Sequence, residues 1–303
     1  MQQMNSDPRR KLYEAALAAP VFDSPPGESW ALLPRGTSPS RPVPLGSKAY
    51  QGWLCAMSEE KLGLLPTPAI LNFTIKARHR DSSNCEDENR QVALRMFRTA
   101  SGDIHFHLGC DSGHCLKITN EGWEVEDTPD YLHFRYPETR LPIPKPIHAN
   151  ASLQALLAQS IGEDAAEPLT KWLIKTICQV EPAGPLLITG QGRHRAALSL
   201  VSMLDARHAI THEPNFEDDW LLLYAELSLI KGGRLDRLNF YAIHRMRPVV
   251  ITSERAVAGL DVTQINVSSV TQIDIATTLG ALASAVSAAI RAPLAASLSP
   301  SQL

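Results

Sequence analysis

With 303 residues, 44% hydrophobic and 20% charged, the chain is long enough to bury a core and to form two domains. A formal net charge of −3 excludes a global electrostatic pull toward nucleic acid, so any contact with a phosphate backbone has to come from a local patch. The five cysteines, Cys55, Cys85, Cys110, Cys115 and Cys178, are odd in number and scattered, which argues against a disulfide framework and for free thiols in a reducing, cytoplasmic compartment.

Residues 1–46 read as an extended, partly disordered lead-in. The start, MQQMNSDPRRKLYEAALAAPVF, carries an arginine pair but only an interrupted apolar run, unlike a signal peptide. One short helix is expected over 11–19. The Pro, Gly and Ser-rich passage FDSPPGESWALLPRGTSPSRPVPLGS that follows resists regular packing. Within it, Trp30 and the ALLP run are expected to anchor one strand.

Residues 47–147 read as an α+β accessory domain. Helices are expected over 47–63 and 66–80, followed by the polar break RDSSNCEDENR. The runs VALRMFRT, DIHFHLG, HCLKIT, GWEVED and YLHFRY alternate apolar and polar positions between the turn residues Gly102, Gly109, Gly113, Asn120 and Gly122, which predicts an antiparallel meander. His105, His107, Cys110, His114 and Cys115 crowd together here, but their spacing matches no familiar zinc pattern. His105 and His107 share one face of a strand and GCDSG reads as a hairpin turn, so no metal is expected.

The proline-rich LPIPKPIHAN marks a boundary, and residues 148–303 change to helices alternating with short buried strands. Leu153, Leu156, Leu157 and Ile161 form one helical stripe, and Leu169, Trp172, Leu173 and Ile177 another. PLLIT, WLLLY and RPVVIT are apolar along their length, as strands of a parallel sheet covered on both faces are. The second half is therefore expected to be α/β. Near the end, the apolar run of ATTLGALASAVSAAIRAPLAASL stops at Arg291, short of the ~20 residues that span a bilayer. Leu279, Leu282, Val286 and Ile290 recur at helical spacing, so a packed amphipathic helix is expected and no membrane contact.

The segment GPLLITGQGRHRAALS has the outline of a phosphate-binding loop between a strand and a helix. A working loop reads G-x-x-x-x-G-K-[ST]: backbone amides cradle phosphates, the lysine reaches the terminal phosphate and the hydroxyl holds magnesium. Counted from Gly190, the lysine and hydroxyl positions fall on Ala196 and Ala197; with one residue deleted they fall on Arg195 and Ala196. Gly190, Gln191, Gly192, Arg193, His194 and Arg195 are the candidate phosphate-binding residues. Three basic side chains at a helix start oppose its positive dipole end by roughly 0.3 to 1 kcal/mol unless an anion lies between them. Arginines pointing into water would escape that conflict through screening, and both readings stand.

In WLLLYAELS, Ala225 takes the place where phosphate-loop hydrolases carry a magnesium-holding aspartate, with Glu226 beside it. Glu226 is the one candidate for catalysis; its plainer reading is a carboxylate at a helix start. Lys231, Arg234, Arg237, Arg245 and Arg247 place five cations against Asp236, after a stretch holding Glu213, Glu217, Asp218, Asp219 and Glu226. That split suits either backbone-phosphate contact or a solvated helix face.

SKAYQGWLCAM, the meander ending in ITNEGWEV, LPIPKP, PLLITGQG, WLLLYAELS and RPVVITS occur here in one order. The succession resembles the helicase-like ATPases of prophages, plasmids and integrative elements, superfamily-three-like members of the AAA+ class often joined to primases. It covers roughly residues 30 to 290. The resemblance implies a P-loop AAA+-like core over 148–303 with a C-terminal lid helix, the accessory domain before it, and an oligomer that encircles DNA in active relatives. The family's lysine and hydroxyl then match Arg195 and Ala196, its strand-end aspartate Ala225, its polar strand end Thr252, and its subunit-bridging arginine Gln264. Thr252 keeps a hydroxyl suited to sensing a phosphate.

An arginine finger alone is worth about 10³ to 10⁵ in rate, so losing it together with the lysine and the magnesium ligand leaves little catalysis. The expected function is that of a non-hydrolytic, helicase-like protein of a mobile genetic element, a pseudo-enzyme acting in DNA replication or maintenance. Its expected partners are a replication protein or helicase of that element, and DNA, with ATP bound, if at all, without turnover. Two alternatives stay open: an atypical ATPase or helicase using Arg195 and Glu226, and a protein-interaction regulator binding neither nucleotide nor DNA.

Overall fold

A computed structural model describes residues 7–24, 28–35, 38–85, 90–93, 95–109, 113–134, 141–146, 152–178, 182–204, 223–226, 249–255, 262–271 and 273–297. The fold is mixed α/β. Contacts divide the chain into two compact units, one of residues 1–93, 111–113 and 127–136, the other of residues 94–110, 114–126 and 137–303.

In the first unit, helix α1 (Pro8–Ala16) starts where the Asp7 carboxylate accepts from the Arg9 amide and Pro8, which has no N–H to satisfy, opens the first turn. Strands β1 (Val21–Ser24), β2 (Glu28–Arg35) and β3 (Ser38–Pro44) form an antiparallel sheet in that order, with Val21 opposite Ala31 and Trp30 opposite Pro44. The passage expected to be mostly extended lead-in is thus a sheet. Three of its six prolines, Pro39, Pro42 and Pro44, sit on β3, an edge strand, where a missing N–H is tolerated. Alternation sends Val21, Ala31 and Val43 into a cluster with Leu12, Tyr50 and Leu54, while Phe22, Trp30 and Leu32 form a second one.

Helices α2 (Lys48–Leu62) and α3 (Pro68–Ser83) are capped by the hydroxyls of Ser47 and Thr67, and α2 ends on Gly63 at φ 69°. Two guanidinium nitrogens of the buried Arg78 of α3 find partners: Nη1 donates to Asp81 Oδ2 at 2.7 Å and Nη2 to the Ala19 carbonyl at 2.6 Å, while Nε is buried without a hydrogen-bond partner among the described residues. The first of the expected meander runs splits in two. Its opening piece, β4 (Gln91–Ala93), pairs parallel with β9 (Leu132–Phe134), which was expected to close an antiparallel meander.

The second unit holds β5 (Met96–Arg98), β6 (Ile104–His107), β7 (His114–Ile118) and β8 (Trp123–Asp127), hydrogen-bonded in that order, with β5–β6 and β6–β7 antiparallel. Ile104, Phe106, Leu116 and Ile118 enter the same hydrophobic cluster as Leu157, Trp172 and Val286, so contacts group these strands with the later residues, where composition grouped them with the helices before. Helices α4 (Leu153–Ile161) and α5 (Glu163–Cys178) follow, with the stripe Leu169, Trp172, Leu173 and Ile177 buried. Burial also pushes the Cys178 thiol up in pKa.

Strands β10 (Pro185–Thr189), β11 (Leu223–Glu226), β12 (Val249–Thr252) and β13 (Thr263–Asn266) form a parallel sheet of order β11-β12-β10-β13. Helix α6 (Arg193–Leu204) leads off from β10 and packs on β10 and β12. The last helix, α7 (Ile275–Ser297), starts on Asp274, whose carboxylate accepts from the Ala276 and Thr277 amides. It packs against α4, α5 and β7, with Trp123 Nε1 donating to Ser284 Oγ at 2.9 Å. Among the described residues no helix is long and apolar enough to cross a membrane.

Candidate functional site

In an open parallel sheet, ligands gather at the carboxyl ends of the strands, where successive connections leave a strand in opposite directions. Here that strand is β10. The chain leaves it for β11 at the far edge, returns to β12 beside it, and then crosses to β13 on its other side. Register brings the sequence candidates to this end: Ile188 lies opposite Thr252 and Ile265, Thr189 opposite Asn266, and Glu226 opposite Thr252. Gln264 lies opposite Leu187, below the edge and within the strand.

The connection from β10 to α6 is only Gly190, Gln191 and Gly192. Gly190 has a φ of 91°, and a side chain there would collide with Asn266 Oδ1 and the Val267 carbonyl. The turn is hydrogen-bonded into its surroundings. The Gly192 amide donates to Val267 O at 2.8 Å, the Arg193 amide to Gly190 O at 3.4 Å, and the Ala196 amide to Gly192 O at 3.0 Å. In return the Val267 amide donates to Thr189 O at 2.9 Å, and Thr189 Oγ1 donates to Ile265 O at 3.1 Å. A phosphate cradle needs its loop amides free to point at the anion. Two of them, those of Gly192 and Arg193, are engaged within the protein.

Helix α6 begins at Arg193, so Arg193 is the residue that follows the last loop glycine; Arg195, matched to the lysine by counting along the sequence, comes two residues later and is exposed. Arg193 folds back. Its Nη1 donates to Gly190 O at 3.2 Å, and its Nη2 lies 3.5 Å from Glu254 Oε1. The guanidinium is mostly covered, with 17% of the side chain exposed, and its Nε is buried without a partner among the described residues. Ala196 and Ala197, on which the strict count placed lysine and hydroxyl, lie on the buried face of α6 at 3% and 0% exposure. Thr252 is also completely buried, and the Ser253 amide next to it donates to Ile188 O at 3.0 Å.

Glu254 and Asn266 are the edge residues that sequence reading missed. Glu254 had a faint signal, a carboxylate two residues past the apolar strand VVIT, whereas Asn266 ends the mostly polar TQIN and had none. Glu226 ends β11 at this edge. Lys231, Arg234, Arg237, Arg245 and Arg247 lie outside the described residues.

No protein-family model and no curated protein matches the chain. Among solved structures, it is similar to the A-form apo structure of the NrS-1 C-terminal region, at 12% identity and a TM-score of 0.40, over 94% of this chain and 69% of that one. A second structure of that region gives the same identity and TM-score over 93% and 68%.

Proposed function

We propose that this chain is a non-hydrolytic, helicase-like protein of a mobile genetic element, serving DNA replication or maintenance by binding a replication protein or DNA rather than by turning over ATP. Three lines support the reading: the ordered motifs that resemble helicase-like ATPases, a parallel sheet with a glycine turn at its carboxyl edge, and the residues replacing each catalytic group. The observation that carries it is the fold-back of Arg193 onto the Gly190 carbonyl. In a working loop a flexible lysine there reaches outward to phosphate; here a planar guanidinium is held by the loop itself. The atypical-ATPase alternative calls on Arg195, an exposed residue in the first turn of α6.

The test is ATP turnover by the purified chain with magnesium, with and without DNA, beside salt-dependent DNA binding. No turnover, together with DNA affinity that falls steeply with salt, is the expected outcome. Magnesium-dependent turnover abolished by Glu226→Ala would overturn the proposal. Absence of both nucleotide and DNA binding would favour the pure interaction regulator.

A further inference from the structure

The face of β6 and β7 away from the hydrophobic cluster carries chemistry that the parallel sheet does not use. With Ile104, Phe106, Leu116 and Ile118 directed into the cluster, alternation places His105, His107, Cys115 and Lys117 on the other side. His105 lies opposite Lys117 and His107 opposite Cys115, which makes His105 and Cys115 diagonal neighbours. Glu126 joins them from β8.

Two of the three separations match those around a metal ion. His105 Nδ1 is 3.7 Å from Cys115 Sγ and 3.4 Å from Glu126 Oε1, and the three ligating atoms lie within 4.8 Å of one another. Zinc bonds of about 2.3 Å to sulfur, about 2.0 Å to nitrogen and about 2.1 Å to oxygen, set at tetrahedral angles, separate nitrogen from sulfur by about 3.5 Å and nitrogen from oxygen by about 3.4 Å. A neutral imidazole nitrogen offers one lone pair or one proton in the ring plane. His105 Nδ1 therefore serves one of its two neighbours by hydrogen bonding, whereas a cation at the centre engages all three groups.

The carboxylate is also divided suitably. Oε1 of Glu126 faces His105 while Oε2 lies 3.4 Å from Lys117 Nζ, an arrangement that orients the carboxylate for one-oxygen ligation. Cys115 is fully buried and the His105 side chain 4% exposed, against 27% for Glu126, so the site opens to solvent on the glutamate side. Neighbouring His107 is engaged elsewhere, its Nδ1 accepting from the Gly109 amide at 3.0 Å. Cys110 lies outside the described residues.

We infer that His105, Cys115 and Glu126 form a binding site for a divalent transition-metal ion of the zinc class, one ligand from each of three adjacent strands, with water in the fourth position. A mixed nitrogen, sulfur and oxygen set selects zinc or cobalt over magnesium or calcium, which take oxygen ligands. Binding converts the Cys115 thiol to a thiolate and releases one proton. The ion ties β6, β7 and β8 together.

The test uses the full chain, stripped with a chelator, dialysed, and titrated with zinc and with cobalt as a spectroscopic probe. One zinc per chain is expected, and cobalt should give tetrahedral visible absorption with a thiolate charge-transfer band. Cys115→Ser should abolish that band. Cys115→Ala and Glu126→Gln should each weaken zinc binding more than about 100-fold, and Lys117→Met, which removes a supporting group, by about 10-fold. Cys55→Ser, on α2, should change nothing. If the ligand variants fail to fold, the wild-type stoichiometry and cobalt spectrum still decide. A folded, chelator-treated protein that shows no cobalt band and takes up no zinc would overturn the inference, as would zinc affinity unaffected by Cys115→Ala.

Discussion

The Arg193 guanidinium donates to the carbonyl of Gly190, three residues back along the chain, and so closes the turn between β10 and α6 from within. Its second contact, to Glu254, is of a different kind, because Glu254 is 77% exposed and the pair is screened by water. A charged donor on a backbone carbonyl is worth about 1.5 to 3 kcal/mol, an exposed ion pair about 0 to 1. Arg193→Ala should therefore destabilise the protein by about 1.5 kcal/mol, and Glu254→Ala by less than about 0.5. Urea unfolding of both variants checks the ordering. Equal losses would mean that the ion pair, and not the carbonyl contact, holds the turn.

Gly190 gives a sharper test of the same turn. Its φ of 91° is strained for a residue with a Cβ, and that Cβ would collide with Asn266 Oδ1 and the Val267 carbonyl, both fixed at the end of β13. Gly192 is less constrained: a Cβ there would stand 3.0 Å from Val267 Cγ1 and 3.1 Å from the Ser269 amide, contacts that a small shift relieves. Gly190→Ala should cost about 3 kcal/mol or more, and Gly192→Ala about 1. Thermal unfolding would show the first variant melting far below the second; similar melting temperatures would contradict the packed turn.

The turn was only half legible in the sequence. Gly190 and Gly192 marked a bend after PLLIT, but whether an arginine in the first helical turn reaches outward or folds back depends on what lies beside it, here the carbonyl of Gly190 and the acid at 254. Strands buried on both faces were easier: Pro185–Thr189 and Val249–Thr252 announce themselves by continuous apolar character. The third, WLLLYAELS, contains β11, Leu223–Glu226, with the polar edge residue that register needs, and its first three residues lie outside the described ones. Pairing was less legible still. Alternation in Gln91–Ala93 and Leu132–Phe134 fixes which side chains point inward, yet nothing local states that these segments pair with each other, or in parallel. The prolines of β3 misled because composition cannot tell an edge strand from a loop.

Gly280 sits inside α7, where alanine ordinarily stabilises a helix by about 1 kcal/mol. Here the LPIPKP segment crosses the helix at that point. The Lys145 amide donates to Ala276 O at 3.0 Å, and a Cβ on residue 280 would strike the Lys145 carbonyl. The local preference and the packing thus oppose each other, and rigid backbone contact outweighs propensity. Gly280→Ala should lower stability by about 2 kcal/mol, measured by denaturant unfolding. A stabilised variant would show that the segment does not cross α7 so closely.

His133 on β9 makes stability depend on acid. Burial, with a smaller effect from the Arg90 charge, lowers its pKa from 6.5 to about 4. Its ring lies 5.4 Å from that of Phe22, and its Nε2 is buried without a partner among the described residues. Between pH 6.5 and about 4 the unfolded chain binds a proton at this histidine that the native protein does not. Stability therefore falls as pH falls through that window, by up to about 1.4 kcal/mol per unit, and the effect vanishes above it. Carboxylates paired in the native state act in the same direction, so the wild-type curve alone cannot assign the slope. His133→Phe keeps an aromatic ring against Phe22 and removes the proton site. The variant should match or exceed wild-type stability at pH 7.5 and gain about 2 kcal/mol relative to wild type by pH 4.5. Chemical unfolding across that range checks it; parallel curves for the two proteins would mean that His133 is protonated as readily in the folded state as in the unfolded one.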